Sequence, residues 1–149
     1  MFELLNRGFM YICGRDKCYR PVMVLKMAVF NELNKGATTL STDEVIASIL
    51  LTCFFARKYM MIDGRIENQY LVVDLAGNYK VALGTLKPIL KFFPMVNKGR
   101  FRAFYVVNCP MTINFLWDTI KYFLDEITQR KVQFSKTANI PDMHKLIAP

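Results

Sequence analysis

The chain has 149 residues, of which 53% are hydrophobic and 13% aromatic, and its formal net charge at pH 7 is +8. This length suits a single domain, and the apolar excess indicates a large buried surface, an enclosed apolar ligand or a surface given to a partner. The charge suits an anionic partner, but the basic residues are scattered and carry no nucleic-acid module signature, so nucleic-acid binding is not predicted.

The cysteines, the apolar runs and the N-terminus indicate the kind of compartment in which the protein is found. Cys13, Cys18, Cys53 and Cys109 lack metal-type spacing, which predicts reduced thiols in an intracellular compartment, with a Cys13–Cys18 bridge as the open alternative. The longest apolar run, residues 45–56, is far shorter than the roughly 20 residues of a membrane span. The N-terminus has no basic region before an apolar core, so a secretory signal is not predicted.

The first third of the chain predicts a hairpin followed by a long helix. Turn residues at 14–17 separate a short apolar run from a strand over residues 20–27. Residues 31–40, rich in Asn, Gly and Thr, predict a loop. The residues at 41–44, Ser-Thr-Asp-Glu, supply N-cap candidates and first-turn acids for a helix that ends near Tyr59 or Met61.

The middle of the chain predicts a strand and then a helix. Residues 69–75 read as the central strand, and Asp74 falls at its carboxyl edge, where open α/β sheets place ligands. The sequence alone favours a turn or cap role for Asp74 over ligand contact. Residues 81–93 predict a helix that is kinked at Pro88 or begins just before it.

The last predicted elements form a βαβ unit. Residues 104–107 are the apolar, β-branched and aromatic block of a buried parallel strand, and Pro110 ends it. A helix follows with Thr112 as its N-cap candidate, and residues 131–134 predict the next strand. The apolar positions of this helix recur at intervals of three and four: Ile113, Leu116, Trp117, Ile120, Phe123 and Leu124.

Catalytic chemistry has no recognisable signature in the sequence. The only histidine, His144, lies near the end without a nucleophile elbow, and phosphate loops and metal-spaced clusters are missing from the sequence. We therefore predict a protein that is not an enzyme, with no catalytic residue, no metal ligand and no cofactor.

Three blocks in order resemble the CRAL-TRIO family of lipid-binding domains. They are Gly14-Arg-Asp-Lys17 with Arg20-Pro21-Val22; Val72-Val-Asp-Leu-Ala-Gly77; and Tyr105-Val-Val-Asn108-x-Pro110 with the segment that continues to Val132. The resemblance implies an α/β fold with a mostly parallel sheet of about five strands covered by helices. On this reading residues 1–149 are one domain that lacks the family's N-terminal helical subdomain and C-terminal close, as a reduced member or a fragment of a longer protein.

The same resemblance implies a function and a set of site residues. The sheet would form the floor of a pocket for a phospholipid or other hydrophobic ligand, and residues 111–124 would form a mobile lid. Lid residues expected to face the lipid are Phe115, Leu116 and Phe123, while Lys131 would meet an anionic headgroup and Asp74 completes the predicted set. Lipid or a membrane surface is the implied partner, in a cytoplasmic or peripheral membrane location of undetermined organelle.

A departure from the family pattern keeps a second function open. The acid that follows a Tyr-Pro pair in phosphatidylinositol-binding members is replaced, since Met95 follows Phe93-Pro94. The alternative prediction is therefore a structural scaffold subunit of a larger protein assembly that has kept the fold and lost its ligand.

Overall fold

A computed structural model describes residues 2–34, 40–77, 83–139 and 145. Within these residues five strands form one sheet in the order β1-β2-β3-β4-β5. The elements are α1 (Phe2–Asn6), β1 (Met10–Arg15), β2 (Pro21–Lys26), α2 (Met27–Asn34), α3 (Thr42–Met60), β3 (Gln69–Asp74), α4 (Leu83–Val96), β4 (Phe101–Val107), α5 (Ile113–Ile120), a 3-10 turn (Lys121–Phe123), α6 (Glu126–Gln129) and β5 (Val132–Phe134). β1 pairs antiparallel with β2 and the other pairs are parallel, which confirms the predicted α/β class.

Helices cover one face of this sheet. Each parallel strand lies beside the previous one, and because such connections are right-handed, successive crossover helices fall on the same side. Met23, Leu25 and Leu71 pack there against Val45 and Ile49 of α3, and we call this the helix-covered face. The alternate strand residues form a second buried cluster on the opposite face: Val22, Tyr70, Val72, Ala103, Tyr105 and Val107.

The predicted start of the long helix is confirmed. Ser41 is the N-cap of α3: its Oγ accepts a hydrogen bond from the Glu44 N–H at 3.1 Å, and the Glu44 carboxylate accepts one from the Ser41 N–H at 3.3 Å. This reciprocal capping box satisfies two backbone donors that the helix cannot satisfy itself.

Replacing Ser41 with alanine should lower the free energy of unfolding by about 1 kcal/mol, because one of those donors loses its acceptor. Urea unfolding followed by circular dichroism measures the change. Ser41→Asn is the matched control, since asparagine caps as well as serine and should leave stability within a few tenths of a kcal/mol. A Ser41→Ala protein as stable as the parent would show that the cap contributes nothing.

The predicted loop at 31–40 is wrong over its first part. α2 continues to Asn34, and Asn31 is buried although asparagine favours turns. The physical reason is packing: Phe30 is 3% exposed and its ring lies 6.2 Å from that of Phe9, which holds this segment against the sheet. Residues 35–39, the predicted helix start at 81–82 and His144 lie outside the described residues.

All four cysteines are free, so the structure shows no Cys13–Cys18 bridge. Cys13 and Cys18 are exposed, whereas Cys53 and Cys109 are buried. Burial raises the pKa of the Cys53 thiol to about 12, and it also raises the pKa of Cys109, whose Sγ–H donates to the Val106 carbonyl at 3.1 Å.

A thiol reagent at pH 8 should therefore label two cysteines of the folded protein, because thiolates react and the buried pair is both protonated and shielded. Intact-mass spectrometry before and after adding urea counts the labels. Four rapid labels on the folded protein would contradict the burial of Cys53 and Cys109.

Candidate functional site

An apolar cavity of about 210 Å³ lies on the helix-covered face, between the sheet and the helices α4 and α5. Of the described side chains that line it, all are hydrophobic except that of Thr128. The strands contribute Leu25, Leu71, Val73, Phe104, Val106, Val132 and Phe134; the helices and their connections contribute Met27, Ile49, Leu75, Ile89, Leu90, Phe93, Ile113, Leu116, Trp117, Ile120, Leu124 and Thr128.

The floor of the cavity follows from strand periodicity. Successive strand side chains alternate between faces, so Leu71 and Val73 of β3 point to the same side. Leu71 pairs with Phe104 and Val73 with Val106 in the parallel register of β3 and β4, which continues the apolar surface across both strands. The central strands thus supply a flat hydrophobic floor.

Helix α5 forms the roof. Its inward residues Ile113, Leu116, Trp117 and Ile120 follow the three- and four-residue spacing of one helical face. The Trp117 ring meets Phe134 of β5 edge-on, with the ring centroids 5.2 Å apart. No residue of α5 is fully buried, so the helix rests on the cavity without entering the core.

The dimensions of the cavity limit what it can hold. Pockets for drug-sized ligands are typically about 300–1,000 Å³, so this cavity accepts part of a hydrocarbon chain and not a whole two-tailed lipid. The cavity is partly open to the surface, so an apolar occupant would remove its hydrophobic lining from water, which provides about 25 cal/mol for each Å² of apolar surface buried.

The sequence matches the CRAL/TRIO domain over residues 5–149. The chain belongs to the CRAL/TRIO domain family.

A structure comparison agrees with this assignment at the level of the fold. The solved structure titled "Crystal structure of Sfh5" is similar, with a TM-score of 0.67 and 18% sequence identity. The match covers 91% of this chain and 49% of that one, so the CRAL/TRIO domain described here spans about half the length of that protein. No curated protein sequence matches the chain.

The three predicted lid residues of this CRAL/TRIO domain have different surroundings. Leu116 lines the cavity. Phe115 is 83% exposed and lies outside the cavity lining. Phe123 belongs to the 3-10 turn that follows α5, also outside the lining, and the Lys87 Nζ lies over its ring, 5.5 Å from the centroid. The continuous helix expected over residues 111–124 is therefore shorter, since α5 ends at Ile120.

Lys131 lies just before β5, at the amino end of that strand. Its Nζ donates a hydrogen bond to the Phe101 carbonyl at 2.8 Å, which joins the beginnings of β4 and β5. Lys131 is half-buried and is not part of the cavity wall, although Thr128 and Val132 on either side of it in sequence both line the cavity. A lysine ammonium has three donors, so this bond leaves two for another acceptor.

Asp74 connects the carboxyl ends of the two central strands. Its Oδ1 accepts hydrogen bonds from the Asn108 Nδ2–H at 2.7 Å and from the Ala76 N–H at 2.9 Å. Asn108 adopts a positive φ of 54°, a left-handed conformation that asparagine tolerates better than most residues. The carboxylate thereby fixes the turn that leads from β4 towards α5.

Replacing Asp74 with alanine should lower the free energy of unfolding by about 1–2 kcal/mol, because two donors lose a charged acceptor. Chemical denaturation measures the loss. Asp74→Asn keeps an oxygen at Oδ1 and should lose less than half as much. If both variants match the parent protein, the Asp74–Asn108 contact does not contribute to the turn.

Residues of α4 complete the site, and sequence reasoning did not select them. Ile89, Leu90 and Phe93 close the side of the cavity between α3 and α5. Their three- and four-residue spacing predicts an apolar helical face, but which surface that face covers depends on the topology. No group of three or more His, Cys, Asp or Glu side chains in the described ranges is arranged to bind a metal ion.

Proposed function

We propose that this CRAL/TRIO domain is a non-enzymatic lipid-binding domain that holds a hydrophobic ligand between the sheet and α5. The observation that carries the proposal is the apolar cavity lined almost entirely by hydrophobic side chains beneath one short helix. Membership of a family of lipid-binding domains supports the same function. Burying a hydrocarbon chain there provides roughly 0.8 kcal/mol per CH₂ group.

Entry of a longer chain requires α5 to move. Its contacts with the floor are apolar and non-directional, whereas its downstream end is tied by the Gln129 Nε2, which donates to the carbonyls of Lys121 and Leu124, both at 2.8 Å. Its upstream end is joined to β4 through the turn at residues 108–112, in which Asn108 is held by Asp74 and the Cys109 N–H donates to the Ser135 carbonyl at 2.9 Å. We infer that the lid opens at its Ile113 end by a movement of residues 110–112, while Asn108, Cys109 and the 3-10 turn remain in place.

Lys131 is the proposed contact for an anionic headgroup. Its ammonium stands at the amino end of β5, and the hydrogen bond to Phe101 leaves two donors for a phosphate oxygen. Removing this side chain should reduce binding of an anionic lipid more than binding of a neutral one with the same tails.

Lipid mass spectrometry tests the proposal. The chain is purified without detergent and extracted, with Lys131→Ala prepared in parallel. About one lipid per folded chain is the expected result, with the anionic species depleted in the variant. A folded, monodisperse protein that carries no lipid and takes none from vesicles would contradict lipid binding.

One observation favours the scaffold function as a second candidate. The outward side of α3 exposes large hydrophobic side chains, which single soluble domains seldom group together. These are Leu51, Phe54, Phe55 and Tyr59, with Ile62 just beyond the helix, and their exposures range from 41% to 61%. A scaffold subunit would bury this surface against another protein. Self-association of the purified, lipid-free chain that is lost on replacing Phe54 and Phe55 with serine would support this candidate.

No helix in the described part of the chain combines the length and hydrophobicity needed to cross a bilayer. The outer side of the lid is a candidate surface for contact with a membrane. Three large hydrophobic residues on or beside the lid are more than 80% exposed: Met111, Phe115 and Tyr122. We propose that these residues touch the bilayer when the cavity exchanges its lipid.

A further inference from the structure

A second cavity opens on the opposite face of the sheet. Its volume is about 350 Å³, and it lies near the amino ends of β2, β3 and β4, separated from the apolar cavity by the sheet itself. Among the described residues that line it, Arg20, Arg102 and Lys145 are basic and none is a carboxylate. Tyr70 and Tyr105 form its wall, with their rings stacked 6.0 Å apart.

Arg20 is held in place by groups beneath the cavity. The Asp16 side chain is fully buried, and its Oδ1 accepts hydrogen bonds from the backbone N–H groups of Cys18 and Arg20. Its Oδ2 lies 3.5 Å from the Arg20 Nη1, which also donates to the Tyr70 hydroxyl at 3.1 Å. The guanidinium is thus oriented before any ligand arrives, which lowers the entropic cost of binding.

Arg102 reaches the cavity because the strand register shifts beside it. In the β3–β4 pairing Gln69 lies opposite Phe101, but the next residue, Tyr70, lies opposite Ala103. Arg102 is therefore an extra residue in β4, which is the geometry of a β-bulge. Phe101 packs with the helix-covered core, Ala103 faces the other side, and the exposed Arg102 lines the basic cavity.

The charge balance of this cavity favours an anion. In the described part of the chain the buried Asp16 carboxylate is paired with Arg20, and the exposed Arg102 adds a second guanidinium to the wall, so the lining favours an anion. Arginine presents N–H donors in a planar fork that matches phosphate oxygens, and the Gln133 amide and the tyrosine hydroxyls add polar partners at the wall. The volume exceeds that of a lone ion and lies in the range of small-molecule sites.

We propose that this cavity binds a phosphate group, carried either by a soluble phosphorylated molecule or by an anionic lipid in a membrane. The site is independent of lipid binding in the apolar cavity, because the two cavities lie on opposite faces of the sheet and share none of their described lining residues. Failure of one proposal therefore leaves the other standing.

Titration calorimetry with pyrophosphate tests whether the cavity binds the phosphate of a soluble molecule. Co-sedimentation with vesicles that contain phosphatidic acid tests whether it binds the phosphate of a lipid headgroup. Arg102→Gln should weaken at least one interaction about tenfold, because it removes a charged fork from the site and leaves Asp16 paired. Arg57→Gln is the matched control, since Arg57 is also exposed but lies on α3, away from the cavity.

The two assays together distinguish a soluble phosphorylated ligand from a lipid headgroup. Binding of pyrophosphate that depends on Arg102 identifies a soluble ligand, and binding of vesicles alone that depends on Arg102 identifies a lipid headgroup. Equal weakening by Arg57→Gln and Arg102→Gln would show non-specific attraction to a basic protein and overturn the proposal, as would the lack of binding in both assays. Circular dichroism of each variant confirms that it folds.

Discussion

Replacing Val106 with tryptophan should abolish lipid loading, with at least a tenfold fall in lipid recovered per chain. Val106 lies on the cavity floor beneath α5, and an indole ring there would occupy the space that a hydrocarbon chain needs. In a filled core such an enlargement costs about 1–3 kcal/mol. Above an existing void the same change should leave stability nearly unchanged or raise it, because the cavity is filled.

Two measurements on the same variant therefore check this result: lipid mass spectrometry and the free energy of unfolding. Asn114→Trp is the matched control, because it adds the same ring to the exposed side of α5. That control should load lipid normally. A Val106→Trp protein that is stable and still carries lipid would show that the ligand lies elsewhere, and one that is strongly destabilised would show that the space is not available.

The exposed side of the lid is expected to contribute most of the affinity for lipid vesicles. Replacing Met111 and Phe115 together with glutamine should reduce binding to lipid vesicles tenfold or more. Their exposures are 81% and 83%, and burying one such side chain in an apolar medium provides about 1.5–3 kcal/mol. Vesicle co-sedimentation and the rate of lipid transfer between two vesicle populations measure the effect.

Phe54→Gln serves as the comparison, because Phe54 is also exposed but lies on α3. If the lid is the membrane-contacting surface, this variant should bind vesicles as the parent does. Loss of binding in Phe54→Gln with retention in the double variant would place membrane contact on α3 and contradict the lid assignment. Neither change alters a side chain that lines the cavity. Both variants should therefore carry as much lipid as the parent after expression, which checks that their cavities are intact.

The α/β class and most of the elements could be predicted because local signals agreed with the fold. Ser41 and Glu44 mark the start of α3 in sequence, and the same residues form its capping box. In α5, helical periodicity and the family resemblance predict different inward-facing residues. Its periodicity selects Ile113, Leu116 and Trp117 for the inner side, and all three line the cavity. The family resemblance predicts that Phe115 faces the lipid, whereas the described helix carries its side chain on the outer side, 83% exposed.

The parts that could not be predicted depend on how strands align. The contact between Asp74 and Asn108 joins residues 34 positions apart, and it exists because both follow neighbouring parallel strands. Arg102 reaches the basic cavity only through a one-residue shift against β3. Alternation of side chains predicts a face for each residue within one strand, but a bulge reverses that assignment without a sequence signal of its own.

The two edge strands of the sheet affect whether copies of this protein associate with one another. An unpaired strand border is a template for adding a strand from a second chain, which leads to aggregation. In the described part of the chain one border is β5, only three residues long, and the other is β1, whose register is interrupted between Ile12 and Gly14. Neither offers a long, regular row of backbone donors and acceptors. Despite its high apolar content, the protein should therefore resist strand-to-strand polymerisation, and its associations should run through side-chain surfaces.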